Sequence, residues 1–413
     1  LSLHDALPIC GFVIMTSSDS PFSAADSTLG YLFQCKYALL DALRRMRQGE
    51  DFLVSVETLD DVYFERNGLP NELLQSKHHR NRQASLNDFS TDIWKSIRIW
   101  CEGSLSGLIA DDSVFYLLTT ATADDGSAAS LLRRDEDRDV DEAFNKLVAA
   151  AQTSTNKQHA SSYKLFLSNQ AKVRTVLERV YVLDATAPIT ELPGLIRNEV
   201  RFAVKKKFLE PFVERLEGWW FARVIDQMSD SRPGPILSEE LESQMSDLRS
   251  QLQDDSLPID DSIREADIDF TSHIDKQFVR QLRLINLKNP RIFIAIREYF
   301  RAYEQRSRWM REDLLLVGEL GRYESRLIEE WQIYFERMRE ELGEEAAEEQ
   351  KLKSARALYD WVESRANIPI RPRCDEPFVT RGSFHMLADD LKVGWHPDFA
   401  KRVKELLERE AAE

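Results

Sequence analysis

Between residues 30 and 47, Leu32, Phe33, Ala38, Leu39, Leu40, Leu43 and Met46 recur at helical spacing, and Gln48-Gly49 supplies a stop. The period then changes. Residues 52–57 and 61–65 predict two strands, Asn67-Gly68 with Pro70 a hairpin-type turn, and residues 72–77 a third strand. Phe89, Ile93, Ile97 and Trp100 return to helical spacing, and the continuous apolar run at 113–119 predicts a buried fourth strand. The order helix, three strands, helix, strand predicts an α/β core around a mixed sheet.

Residues 124–162 are polar around a helical stretch at 140–151 and read as an insertion or a loose helical subdomain. Residues 177–183 predict another strand, followed by a Pro-bearing loop and a helix from Leu192. From Lys205 onward long amphipathic patterns dominate, at 208–228, 237–252, 273–284, 291–310, 312–341 and 347–365. The acidic segment 253–268, which carries Pro258, reads as a linker or boundary. No fixed-period repeat is present.

Composition narrows the class. Among 413 residues, 71 Asp+Glu against 55 Lys+Arg give a formal charge of −16, which argues against coating nucleic acid through bulk positive charge. A local basic cleft is still compatible with it. No apolar run approaches the ~20 residues of a membrane-spanning helix, so a soluble, cytoplasmic, multidomain protein without a membrane partner is expected. Cys10, Cys35, Cys101 and Cys374 stand singly, which gives neither a disulfide framework nor a zinc site. The chain opens on Leu1. Residues 1–14 lack a basic n-region and resemble translated sequencing-adapter sequence, so they are expected to be a non-native leader, with Met15 the natural start.

The chemistry concentrates where the second and third strands bring together Glu57, Asp60, Asp61, Gln75 and Lys77. Strand alternation puts Gln75 and Lys77 on one face. Carboxylate and amide oxygens suit a hard divalent cation, and a nearby lysine can orient water or neutralise charge developing on a phosphate. His78, His79, Arg80 and Arg82 follow at once and form the densest cationic patch of the first half, a candidate phosphate contact. A solvated edge hairpin would display the same charges without any chemistry.

The runs Gly30-Tyr-Leu-Phe-Gln34, Val56-Glu57-x-x-Asp60-Asp61-Val62 and Leu74-Gln75-Ser-Lys77-His78 resemble the double-stranded-DNA endonuclease domain of bacterial antiphage effectors, as do residues 115–120. That domain occurs in CD-NTase-associated nucleases and in Lamassu systems, within the PD-(D/E)xK superfamily. The resemblance implies Asp61 as the central metal ligand, Gln75 at the (E/Q) position and Lys77 as the catalytic lysine. It further implies Glu57 as an accessory ligand, with Asp60 the alternative to Asp61, and Gln34 in a supporting role on the first helix. The implied cofactor is Mg²⁺ or Mn²⁺. Gln in place of Glu removes one charge from that set, which Glu57 or Asp60 would compensate.

Phe278-Val-Arg-Gln-Leu282, residues 302–309 with Gln305, Arg306, Arg308 and Trp309, then Arg311-Glu-Asp-Leu-Leu315, resemble a C-terminal domain of ABC-three-component conflict systems, as do Tyr323, Glu324, Leu327, Glu330-Trp331 and Trp395-His-Pro-Asp398. In Lamassu this arrangement is the effector subunit, partnered by an SMC-like ABC ATPase and a small middle subunit. Without G-x-x-x-x-G-K-[ST] in this chain, ATP-driven sensing falls to the partner. Gln305, Arg306, Arg308, Trp309 and Arg311 are the expected partner interface, while His385 and His396 read as structural.

The sequence thus predicts a restriction-endonuclease-like α/β domain at 15–210, a helical connector at 211–268 and a mostly α-helical docking domain at 269–413. The expected function is Mg²⁺-dependent endonuclease action on double-stranded DNA, released by the ATPase and carried out by a homo-oligomer, because cutting both strands needs two sites. The alternative is a decayed nuclease fold serving as a DNA-binding or scaffold subunit. A stand-alone restriction enzyme is disfavoured by a long helical half without a base-reading motif.

Overall fold

The computed structural model describes residues 24–56, 61–66, 69–77, 84–229, 231, 234–343 and 345–410, so residues 1–14 lie outside it. The chain divides into two compact units. One holds the described residues up to Val200 together with Leu216–Glu242, and the other Arg201–Arg215 together with the residues from Ser243 on.

The first unit runs α1 (Ala24–Gln48), β1 (Leu53–Val56), β2 (Asp61–Arg66), β3 (Leu69–Lys77), β4 (Ser85–Leu86), α2 (Thr91–Ser106), β5 (Val114–Thr119) and β6 (Thr122–Ala123). It continues through α3 (Ala128–Leu131), α4 (Val140–Thr153), α5 (Ala160–Ser168), α6 (Gln170–Leu177), β7 (Val180–Leu183) and α7 (Leu192–Val200). It also takes α8 (Leu209–Met228) from Leu216, β8 (Ile236–Leu237) and the first residues of α9 (Ser238–Gln251). A six-stranded sheet has the order β7-β5-β3-β2-β1-β8. The hairpin strands β1, β2 and β3 pair antiparallel, whereas β5 and β7, reached by crossovers, pair parallel.

The two faces of this sheet are covered differently. On one side Leu73, Phe115, Leu117, Val180 and Val182 share a core with Trp94, Ile97 and Trp100 of α2. On the other, the buried stripe of α1 (Phe33, Ala38, Leu39, Leu40, Ala42, Leu43) packs with β1 and β3. Gly49, at φ 74°, stops α1 where the sequence places the stop; its N–H donates to Met46 O at 3.0 Å.

Segment 124–162 is no loose insertion. Ala143, Leu147 and Ala150 of α4 belong to the same buried core as α2 and the sheet. Residues 216–242 of the expected connector likewise belong to the first unit. Trp220 Nε1 donates to Cys35 O at 2.9 Å, and Lys36 pairs with Glu217 at 2.7 Å.

The second unit is helical: α10 (Asp261–Arg264), α11 (Gln277–Leu284), α12 (Asn289–Arg311), α13 (Glu319–Leu342), α14 (Glu348–Ser364), α15 (Pro377–Asp389) and α16 (Phe399–Glu410). Its tightest approach is between α12 and α15, where a Cβ on Gly382 would stand 2.1 Å from Glu298 O. Segment 253–268 is packed rather than a linker. Leu257 and Asp260 are buried, and Pro258 O accepts Trp309 Nε1–H at 2.7 Å. The helix expected to start at 312 starts at Glu319 instead, because Asp313 (φ 53°) and Gly318 (φ 69°) turn the chain first. No helix among the described residues is long and apolar enough to cross a membrane.

Candidate functional site

Register decides which candidates meet. Across the antiparallel β2–β3 pair, Asp61 stands opposite Gln75, Val62 opposite Leu74 and Tyr63 opposite Leu73. On the far side of β3, parallel β5 places Leu117 beside Gln75 and Thr119 beside Lys77. Alternation then assigns Leu73, Gln75 and Lys77 to one face of β3 and Glu72 and Leu74 to the other. The Leu73 face belongs to α2. The Glu72 face belongs to α1, since Arg45 of α1 pairs with Glu72 at 2.6 Å and lies 3.9 Å over the Phe64 ring.

Gln75 is completely buried, and neither Oε1 nor Nε2 has a hydrogen-bond partner among the described residues. An amide left so is costly, about 1–3 kcal/mol, and is uncommon in a packed core. Lys77, two residues on, is half-buried, and its carbonyl accepts Thr120 N–H at 3.2 Å. Thr119, beside Lys77, is fully buried; its hydroxyl accepts Ala121 N–H at 3.1 Å and its carbonyl accepts from Thr186. Only the parallel register reveals this neighbour, which the sequence reading missed.

The expected set is therefore partly assembled. Asp61 is placed by its register opposite Gln75. Glu57, Asp60, His78, His79, Arg80 and Arg82 lie outside the described residues. Gln34 is buried on α1, the helix whose Arg45 pairs with Glu72. Among the described residues no group of three or more His, Cys, Asp or Glu could hold a metal ion.

The residues expected at the partner interface lie on α12. Gln305, Arg306 and Trp309 are buried inside the second unit. Gln305 accepts Asp260 N–H at 2.9 Å and donates to Asp260 Oδ2 at 2.7 Å and Pro258 O at 3.2 Å. Arg306 donates to Ser383 Oγ at 3.2 Å and is ion-paired with Glu324. Arg308 bridges Glu312 at 3.0 Å and Asp260 at 3.3 Å, which leaves Arg311 as the exposed member of the set. Apolar periodicity on α12 could not separate Arg306 from a surface arginine, because its partners Glu324 and Ser383 sit 18 and 77 residues away in the chain.

His385 is fully buried among Phe278, Tyr359 and Trp395, with ring centroids 5.4, 6.0 and 6.4 Å away. Burial, with a smaller contribution from Arg381, pushes its pKa down to about 3. His396 Nδ1 accepts Asp398 N–H at 3.0 Å.

Residues 278–403 match the family model of C-terminal domain 7 of the ABC-three component (ABC-3C) systems. The match covers about three tenths of the chain and says that this part of the second unit is similar to such a domain. No curated protein matches the sequence. Among solved structures the chain is similar to a Cap4 SAVED/CARF-domain containing receptor from Moraxella osloensis, at 11% identity and TM-score 0.35 over 67% of this chain and 68% of that one. The Acinetobacter baumannii Cap4 receptor with the cyclic trinucleotide 3'3'3'-cAAA is similar at 14% identity and TM-score 0.31, over 67% and 66%. At those scores the likenesses bear on neither the fold nor the activity of this chain.

Proposed function

We propose that this protein is the nuclease subunit of an antiphage ABC-three-component system, hydrolysing phosphodiester bonds of double-stranded DNA at a site on β2 and β3, in a PD-(D/E)xK-like first unit. One observation carries the reading. Gln75, buried and with both amide atoms unpartnered among the described residues, stands opposite Asp61 and two residues before Lys77. A buried amide without partners fits a side chain whose ligand is absent. Its Oε1 is a hard oxygen donor of the kind Mg²⁺ and Mn²⁺ take. Asp61 and Gln75 would hold the ion, with Glu57 and Asp60 completing its charge. The bound cation supplies neutralisation of the scissile phosphate. Lys77 would hold a proton-bearing ammonium beside the reacting phosphate oxygens, and the buried wall of Leu117 and Thr119 would exclude water from that side. His78, His79, Arg80 and Arg82 would contact flanking phosphates. The other two components of the system are the expected partners, restraining the site until an invader is sensed and then letting nuclease units pair.

A second reading keeps the fold and drops the chemistry, with the first unit serving as a DNA-binding scaffold. It is favoured by the amide at position 75 where an acid would bind metal more tightly. Titration calorimetry with Mn²⁺ separates the two. The nuclease reading expects heat of binding that disappears in Asp61→Ala, and binding unchanged by that substitution would remove the site.

A further inference from the structure

The segment that carries the chain from α7 to α8 concentrates positive charge. Arg201, Lys205, Lys206 and Lys207 are four cations among seven residues, all exposed, in a chain of formal charge −16. All of them belong to the second unit. The segment is anchored at its far end. Phe208 is 2% exposed and closes a 3₁₀ turn at Lys206–Phe208, its N–H donating to Lys205 O at 2.8 Å. Asp254 pairs with both Lys205 and, at 2.6 Å, Lys207. The next acid, Asp255, is answered by Arg373 at 3.9 Å. One carboxylate shared by two lysines holds them in place without cancelling them. Arg201 and Lys206 make no ion pair among the described residues.

Phe202 stands inside this cluster and is 84% exposed, the opposite of Phe208 six residues on. The Arg201 guanidinium sits 4.5 Å from the centroid of its ring. Alone, an exposed ring needs no explanation. Set among four cations it completes a pattern, with charges for phosphates and an aromatic face on which a base can stack. Retention on a membrane asks for more apolar surface than one ring, and here Val204 is half-buried and Phe208 buried. An acidic protein would answer the charges but gives no reason for the ring.

We infer that Arg201, Phe202, Lys205, Lys206 and Lys207 form a second contact surface for DNA, the cations on backbone phosphates and the Phe202 ring against an unpaired base. The choice of DNA rests on the nuclease reading, although none of these residues lies on β2 or β3. A chain of formal charge −16 repels DNA over most of its surface, so contacts are made where cations outnumber acids. Each phosphate contact releases counterions, which makes affinity fall with salt. A base stacks on a ring only where it has left the duplex stack, so the ring favours DNA with a single-stranded end.

The test is fluorescence anisotropy of the full-length chain with a labelled blunt DNA duplex and with the same duplex carrying a single-stranded overhang, in EDTA so that nothing is cut. Arg201→Ala/Lys206→Ala is expected to weaken binding to both by about tenfold or more, and to lower the slope of log affinity against log salt by about 2. Phe202→Ala is expected to weaken binding to the overhang alone, by about fivefold or more. All three side chains are exposed, so the melting temperature should not move. Unchanged affinity and salt slope in the double variant overturn the inference, as does a wild type that binds neither DNA. Full affinity of Phe202→Ala for the overhang overturns its stacking half. Variants that keep their DNA affinity but lose adhesion to phosphatidylserine vesicles overturn it in favour of a membrane. Cleavage with Mg²⁺ is read separately. A wild type that cuts, beside variants that bind as it does, removes this surface and leaves the nuclease; binding that depends on these residues in a protein that never cuts does the reverse.

Discussion

Asp61 and Gln75 stand opposite each other across β2 and β3, and the amide of Gln75 is buried with no hydrogen bond to either of its polar atoms among the described residues. Register partners in an antiparallel pair carry Cβ atoms about 4.5–5.5 Å apart on the same face. An acid's position and a hard oxygen donor are thereby brought to one place by backbone pairing alone, before any side-chain choice is made.

This arrangement separates stability from function. Gln75→Leu removes an unsatisfied amide from a wholly buried position, so urea denaturation should show equal or greater stability, by about 1–3 kcal/mol, while metal binding is lost. Gln75→Glu should tighten Mn²⁺ binding and keep cleavage. A Gln75→Leu protein that is both less stable and undiminished in metal binding would mean that the amide is ordinary core.

Gln305 makes the opposite kind of contact. Its amide is spent on Pro258 and Asp260, fastening segment 253–268 to α12. Gln305→Ala should cost the second unit about 2–3 kcal/mol by leaving Asp260 buried without those bonds, seen as a lower urea midpoint. An unchanged midpoint, with weakened partner binding, would restore Gln305 to the surface role that its sequence context suggests.

Acid should weaken the second unit through His385. Its folded pKa, near 3, lies below the ordinary 6.5, so the unfolded chain takes up the proton first. Stability is complete above pH 6.5 and falls towards pH 3, at about 1.4 kcal/mol per pH unit for this group. Denaturation midpoints between about pH 7 and pH 5 should therefore drop more steeply in the wild type than in His385→Gln. Equal slopes would show that the ring is not held neutral by burial.

Elements with strong local signals were legible. Apolar periodicity located α1, β3, β5 and α14, and the Gln48-Gly49 stop falls where α1 ends. What failed was long-range. Segment 253–268 looked like a linker or boundary because it is acidic and carries a proline, yet the partners Gln305 and Trp309 come about 50 residues later. Arg306 looked like an interface residue for the same reason. The Asp61–Gln75–Lys77 grouping was readable because it depends only on a hairpin and a period of two.

The most direct measurement is cleavage of linear and plasmid duplex DNA with Mg²⁺ by the full-length chain, alone and with the two other components and ATP, beside Lys77→Ala. The account predicts metal-dependent cutting in the wild type that Lys77→Ala abolishes without loss of fold. Equal cutting by Lys77→Ala, or none by the wild type in the assembled system, would contradict it.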